Sequence, residues 1–150
     1  MSDIRTNYDP TTMSFDWAIA GAGLQEDAGL ETAVMISLFT DRRSENDDAL
    51  PGAKDDRRGW WADQFLDVAG DKIGSRLWLL AREKQMPSVL VRTQEYAQEA
   101  LAWLIEDGIA RAVNVTAETV RQGVLGLTVE IARSPAPPAK FRFETFWSAN

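Results

Sequence analysis

An α+β architecture is expected because the hydrophobic period changes along the chain. In the first two thirds, apolar residues recur at helical spacing in several stretches; in the last third they recur at every second position. Helices and strands segregated in this way pack as two or three helices on one face of a small antiparallel sheet. At 150 residues, a single domain over 1–150 is the natural size.

The elements follow in order. Residues 14–19, SFDWAI, alternate, with Phe15, Trp17 and Ile19 on one face of a half-buried strand. The GAG at 21–23 reads as a turn. It is no dinucleotide fingerprint, because Glu26 stands where the third glycine belongs. From Asp27, as N-cap, a helix is expected through Leu30, Ala33, Val34 and Leu38, although VMISLF at 34–39 also suits a strand. Residues 41–59 are polar, charged and broken by Pro51 and Gly52, which makes a long loop of the functional or mobile kind. Ser75 caps a further helical stretch carrying Leu77, Trp78, Leu80 and Ala81. Pro87 punctuates, and a helix over 88–107 carries Tyr96/Ala97, Ala100/Leu101 and Leu104/Ile105, with Gly108 at C′.

Three strands then alternate: Val113 and Val115; Leu125, Leu127, Val129 and Ile131; Phe141 and Phe143. Gly123 and SPAPPA at 134–139 separate them. Leu101, Leu104 and Ile105 should pack on Leu127, Val129 and Ile131, since the helix and the central strand must cover each other's apolar faces. The last strand leaves an edge. Lys140, Arg142 and Glu144 either protect it with charge or leave it to a partner strand, and Phe146, which breaks the polar side of the alternation, favours the partner.

Composition removes most chemistry. Of the residues, 45% are hydrophobic and 26% charged, enough for one core. The net charge of −7 and pI near 4.6 argue against nucleic-acid binding and against an anionic membrane surface. With no apolar leader in MSDIRTNYDP and no 18-residue apolar run, the chain reads as soluble and non-secreted. Histidine and cysteine are both absent. Ser-His-Asp or Cys-His catalysis is therefore impossible, and structural zinc has lost its usual ligands. Neither a phosphate loop nor calcium-loop spacing is present, so no cofactor or metal is expected. The 23 acidic residues leave a two-carboxylate glycosidase as the enzymatic alternative, with Glu26, Asp27, Asp47, Asp48 and Glu144 as its weak candidates.

What stands out is DDRRGWW at 55–61. Adjacent indoles diverge by about 100° on a helix and point to opposite faces on a strand, so one core cannot easily hold both. One ring is expected to seal the core and the other to face a partner. TDRR at 40–43 and GSRLW at 74–78 repeat the arginine–aromatic theme, and these residue types are enriched in interface hot spots. Asp41, Arg42, Arg43, Arg57, Arg58, Trp60, Trp61, Arg76 and Phe146 are the expected partner-facing residues.

Four pieces in order, SLFTDRR (37–43), GWW (59–61), GSRLWLL (74–80) and EALAWLIEDG (99–108), resemble the Mu-like baseplate wedge family of contractile-tailed phages, over roughly residues 14–133. The terminal FRFETFW lies outside that likeness. The resemblance implies a small α+β virion protein without chemistry, present in several copies around a sixfold axis. Its implied partners are other wedge proteins and the sheath, tube and hub proteins of the tail. It implies a place in the tail baseplate after assembly in the host cytoplasm. Wedge-type proteins of this broader group have sometimes been labelled acidic lysozymes, which is the other source of the glycosidase alternative.

Overall fold

The computed structural model describes residues 3–4, 6–9, 11–12, 14–17, 19–20, 23–24, 26–27, 29–52, 55–65 and 72–147. Short antiparallel pairs open the chain. β1 (Asp3–Ile4) pairs with Glu26–Asp27, β2 (Thr6–Asp9) with β3 (Ser14–Trp17), and β4 (Ile19–Ala20) with β5 (Gly23–Leu24). The strand expected over 14–19 is thus shorter, and Ile19 starts the next one. Gly23 pairs with Ala20 across the β4–β5 hairpin; Gly21 and Ala22, like the sidedness of Phe15, Trp17 and Ile19, lie outside the described residues.

Asp27 is not a helix cap. It belongs to β6 (Glu26–Asp27), opposite Asp3. Helix α1 (Leu30–Phe39) starts instead behind Gly29, whose φ of 85° turns the chain through a left-handed conformation that glycine adopts without penalty. VMISLF is helical: Val34 and Leu38, four apart, share one buried side, and a strand would have divided them from Met35 and Ser37, which are buried too.

The segment expected as a helix after Ser75 is a single 3₁₀ turn, Leu77–Leu80. Ser75 is held by its backbone against Thr40 and Arg42, and the chain turns again with Glu83 N–H on the Leu80 carbonyl. The N–H groups of Leu79, Ala81 and Glu83 each bond three residues back, so the stretch stays 3₁₀ rather than α-helical. Helix α2 (Pro87–Ala100) takes Pro87 as its first residue, where a missing N–H costs nothing. The expected helix is then broken. The Leu101 N–H is shared between the Ala97 and Gln98 carbonyls, each at 3.2 Å, and this tightening separates α3 (Trp103–Glu106) from α2. Gly108, with φ 71°, follows it at C′ as expected. The break alters the buried face. Leu101 and Leu104, three apart, are fully buried, whereas Ile105 is 48% exposed and does not join the core.

The meander is as expected: β7 (Ala112–Arg121), β8 (Val124–Ala132) and β9 (Ala139–Phe146), with β8 central. Register places Val115, Val129 and Phe141 in one row, and Ala117, Leu127 and Phe143 in the next. That face meets Val34, Leu38, Ala97, Leu101 and Leu104 in the main core. A second, smaller cluster joins Leu80, Val89, Leu125 and Trp147. On the opposite face, Lys140 reaches Glu130 at 2.7 Å, and Arg142 ties Glu118 across the sheet. Among the described residues, no helix is long and apolar enough to cross a membrane.

Leu104→Ala should cost about 2–5 kcal/mol on urea unfolding, because a fully enclosed side chain leaves a cavity. Ile105→Ala should stay within about 0.5 kcal/mol. Equal losses would show that the two residues share one environment.

Candidate functional site

The long loop is anchored at both ends before it presents anything. Ser75 donates its N–H to the Thr40 carbonyl and accepts the Arg42 N–H, both at 2.9 Å, and its hydroxyl donates to the Leu38 carbonyl at the end of α1. Gly74 makes the approach possible. Its φ is 93°, and a Cβ there would stand 2.4 Å from the Thr40 oxygen. Trp78, on the following turn, donates its indole N–H to the Arg42 carbonyl at 2.8 Å.

Several of the expected partner-facing arginines act within the chain. Arg57 donates to the carbonyls of Glu45 and Asn46, while its own carbonyl accepts the Ser44 N–H at 3.0 Å. Arg76 is clamped by Asp48 at 3.0 Å and Glu99 at 3.0 Å, with its guanidinium 4.5 Å above the Tyr96 ring. Burial alone would lower the Arg76 pKa. The hydrogen bonds that Arg76 donates to Asp48 and Glu99 outweigh it and hold the pKa above its ordinary value. Burial raises the Tyr96 phenol in turn, opposed by the Arg76 cation. Arg42 inclines to Glu99 at 3.7 Å. Arg58 pairs with Asp41 at 2.7 Å and lies 4.5 Å over Trp78. It adopts φ 51°, and the Asp56 carboxylate accepts its N–H at 3.0 Å. Arg43 is exposed and donates to the Arg58 carbonyl at 3.4 Å.

The tryptophan pair departs from expectation. Neither ring seals the core: Trp60 is 43% exposed and Trp61 is 69% exposed. The physical reason lies in the flanks. Gly59, at φ 106°, packs its backbone against Arg43, where a Cβ would come within 2.7 Å, and a 3₁₀ turn over Trp61–Phe65 follows at once. The segment therefore runs along the surface. Phe65, 75% exposed, meets Trp61 edge-on at 6.3 Å, and Trp61 meets Trp60 at 5.9 Å. Among the described residues, the buried indoles are Trp78 and Trp147.

Clefts border these residues, and two of them bring aromatic side chains together. One brings Phe146, itself 66% exposed, beside Asp41, Trp78 and Trp147. The other lies between Trp60 and Trp103 and includes Ile36 and Asp63. Asp63, Phe65 and Trp103 were not singled out from the sequence. An aromatic four residues beyond Trp61 was the available signal for Phe65.

Among the described residues, no group of three or more acidic side chains could hold a metal ion. Of the carboxylates considered for catalysis, Asp48 is engaged by Arg76, and Glu144 stands 3.6 Å from Arg142. Glu26 and Asp27 sit in β6.

Arg76→Ala should cost about 1–3 kcal/mol on urea unfolding, since it leaves two partly buried carboxylates without their donor. Arg76→Lys should recover less than half of that, because an ammonium cannot serve both acids and stack on Tyr96. Full recovery by lysine would reduce the contact to simple charge pairing.

The chain is 46% identical over 129 residues to the baseplate protein gp46 of Escherichia phage Mu, covering 86% of this chain and 87% of that relative. It is 37% identical over 133 residues to the Mu-like prophage FluMu protein gp46 of Haemophilus influenzae, covering 89% of this chain and 90% of that relative. Residues 30–137, from the start of α1 to the turn before β9, match the family of phage protein GP46, so the helices, the anchored loop and two of the three meander strands belong to the shared unit. The chain is a member of the phage protein GP46 family.

Proposed function

We propose that the protein is a structural component of a contractile phage tail, built into its baseplate and acting through protein–protein contacts. The observation that carries this reading is the Mu baseplate relative, aligned over most of both chains. A wedge position fits the same reading, with neighbours among the wedge, sheath and tube or hub proteins and copies related by a sixfold axis. The exposed ridge of Trp60, Trp61 and Phe65 supports a contact surface there. Three large aromatic side chains exposed side by side on one segment form a contiguous apolar patch, the kind of feature that marks contact surfaces. Asp41, Arg43, Arg58 and Phe146 complete the partner-facing set, while Arg42, Arg57 and Arg76 shape the surface from behind. No observation favours the glycosidase alternative.

The outer edge of β9 is part of the proposal. Lys140 and Arg142 are drawn across the sheet face onto Glu130 and Glu118. Among the described residues, no strand pairs with β9 on the side away from β8. A neighbour's strand added there would gain main-chain hydrogen bonds along a defined register. Amide exchange over residues 140–147 should slow in assembled tails relative to the free protein, and equal exchange in both states would remove the idea.

Trp61→Ala is the direct test of the surface. It should leave the urea midpoint unchanged, yet weaken incorporation into tails, followed by immunogold labelling, by more than about 2 kcal/mol. Normal incorporation would overturn the assignment of Trp61. Clear muramidase activity on peptidoglycan, abolished by one Asp or Glu substitution, would overturn the structural role itself.

A further inference from the structure

Twice within this chain, an arginine lies against an aromatic ring while a carboxylate holds it. Arg58 stands 4.5 Å over Trp78 and 2.7 Å from Asp41. Arg76 stands 4.5 Å over Tyr96 and is bonded by Asp48 and Glu99. The cleft behind the tryptophan ridge has the other two parts of that arrangement and lacks the guanidinium. Trp60 and Trp103 flank it, Ile36 and Ile73 contribute apolar surface, and Asp63 supplies a carboxylate. Its volume is about 360 Å³, many times the roughly 10–15 Å³ that one water needs.

Asp63 is poorly satisfied. One carboxylate oxygen accepts the Ile73 N–H at a long 3.4 Å; the other is buried without a hydrogen-bond partner among the described residues. A carboxylate oxygen withdrawn from water is disfavoured unless a donor or cation meets it. Lys72 also lines the cleft, but its ammonium is directed to Glu45, at 3.9 Å. The stretch that joins Phe65 to Lys72, LDVAGD, contains no lysine or arginine and adds two aspartates.

We propose that this cleft receives an arginine side chain from a basic neighbouring protein. Arginine suits it better than lysine, because a planar, weakly hydrated guanidinium can stack on an indole and donate to a carboxylate at once. A second copy of this chain is disfavoured as the source, since two molecules of net charge −7 repel. The proposal rests on the reading of the tryptophan segment as partner-facing and adds the chemistry of what it accepts.

The test uses the full chain with N-acetyl-arginine amide, compared with its neutral citrulline counterpart. The indole N–H resonances of Trp60 and Trp103 are followed by NMR. Saturable shifts are expected with arginine at about millimolar concentration, and citrulline should bind at least roughly tenfold more weakly. Asp63→Asn keeps an acceptor for the Ile73 N–H and should abolish the difference. Should that variant fail to fold, the arginine–citrulline contrast on the unaltered chain decides. Equal binding of both compounds, or no saturable shift with arginine, would overturn the proposal. So would a large gain in affinity on Lys72→Gln, which would make Lys72 the occupant. If arginine does not bind while Trp61→Ala still blocks tail incorporation, the ridge remains an interface and the cleft alone loses its role.

Discussion

The crossing of Thr40–Arg42 with Gly74–Ser75 is the constraint on which the rest of the molecule is hung. It closes a chain excursion of roughly 30 residues, whose length-dependent entropy cost is roughly 3 kcal/mol. Two backbone hydrogen bonds and the Ser75 hydroxyl oppose that cost, at about 1 kcal/mol each. The balance is close, so the added ties matter. Trp78 fastens the Arg42 carbonyl, and Arg76 reaches from the same turn to both Asp48 in the loop and Glu99 on α2. The residue next to the crossing thus connects the loop to the helical layer. Gly74 is indispensable there for a steric reason: any side chain would meet the Thr40 carbonyl.

That anchoring explains how a charge-dense loop without regular structure can present aromatic rings in a defined place. A free loop would bury or scatter them. Here Gly59 lies flat on Arg43, and the chain leaves it directly into a 3₁₀ turn, so Trp60, Trp61 and Phe65 stand along the surface. The arginines on either side have a double character. Arg57 and Arg76 hold the loop's shape, and that shape is what lets Arg43 and Arg58 remain near the ridge. The arginines that fix the loop's shape therefore also set where its exposed aromatic rings stand.

The sheet divides its faces in the same spirit. Inward, Val115, Leu127, Val129 and Phe143 meet the helices in rows set by register. Outward, Glu118, Glu130, Lys140 and Arg142 pair with one another and keep that face wet. Gly126 sits within the outward ladder, where a Cβ would press on Val120 at 2.8 Å. Exposed aromatic rings are found at the end of the meander, at Phe146, and beyond the loop, at Trp60, Trp61 and Phe65.

Periodicity sufficed wherever a residue's surroundings are local. The meander, the position of Gly108 and the α+β arrangement follow from spacing, because alternation and i, i+4 stripes report which side of an element is apolar. The family likeness was legible for a different reason: short motifs in order mark the crossing points of the fold, SLFTDRR and GSRLWLL above all. Spacing could not reveal distant partners. Ile105 lost its place in the core because a shared N–H at Leu101 broke the helix there. Asp27 yielded the helix start to Gly29 because a strand claimed it. Arg57 and Arg76 found carbonyls and carboxylates 11 to 28 positions away, which no window along the chain contains. The same holds for the tryptophans. Adjacency along the chain cannot decide whether either indole is covered; that is set by what the folded chain brings opposite, and Trp61 meets the rings of Trp60 and Phe65 and stays largely exposed.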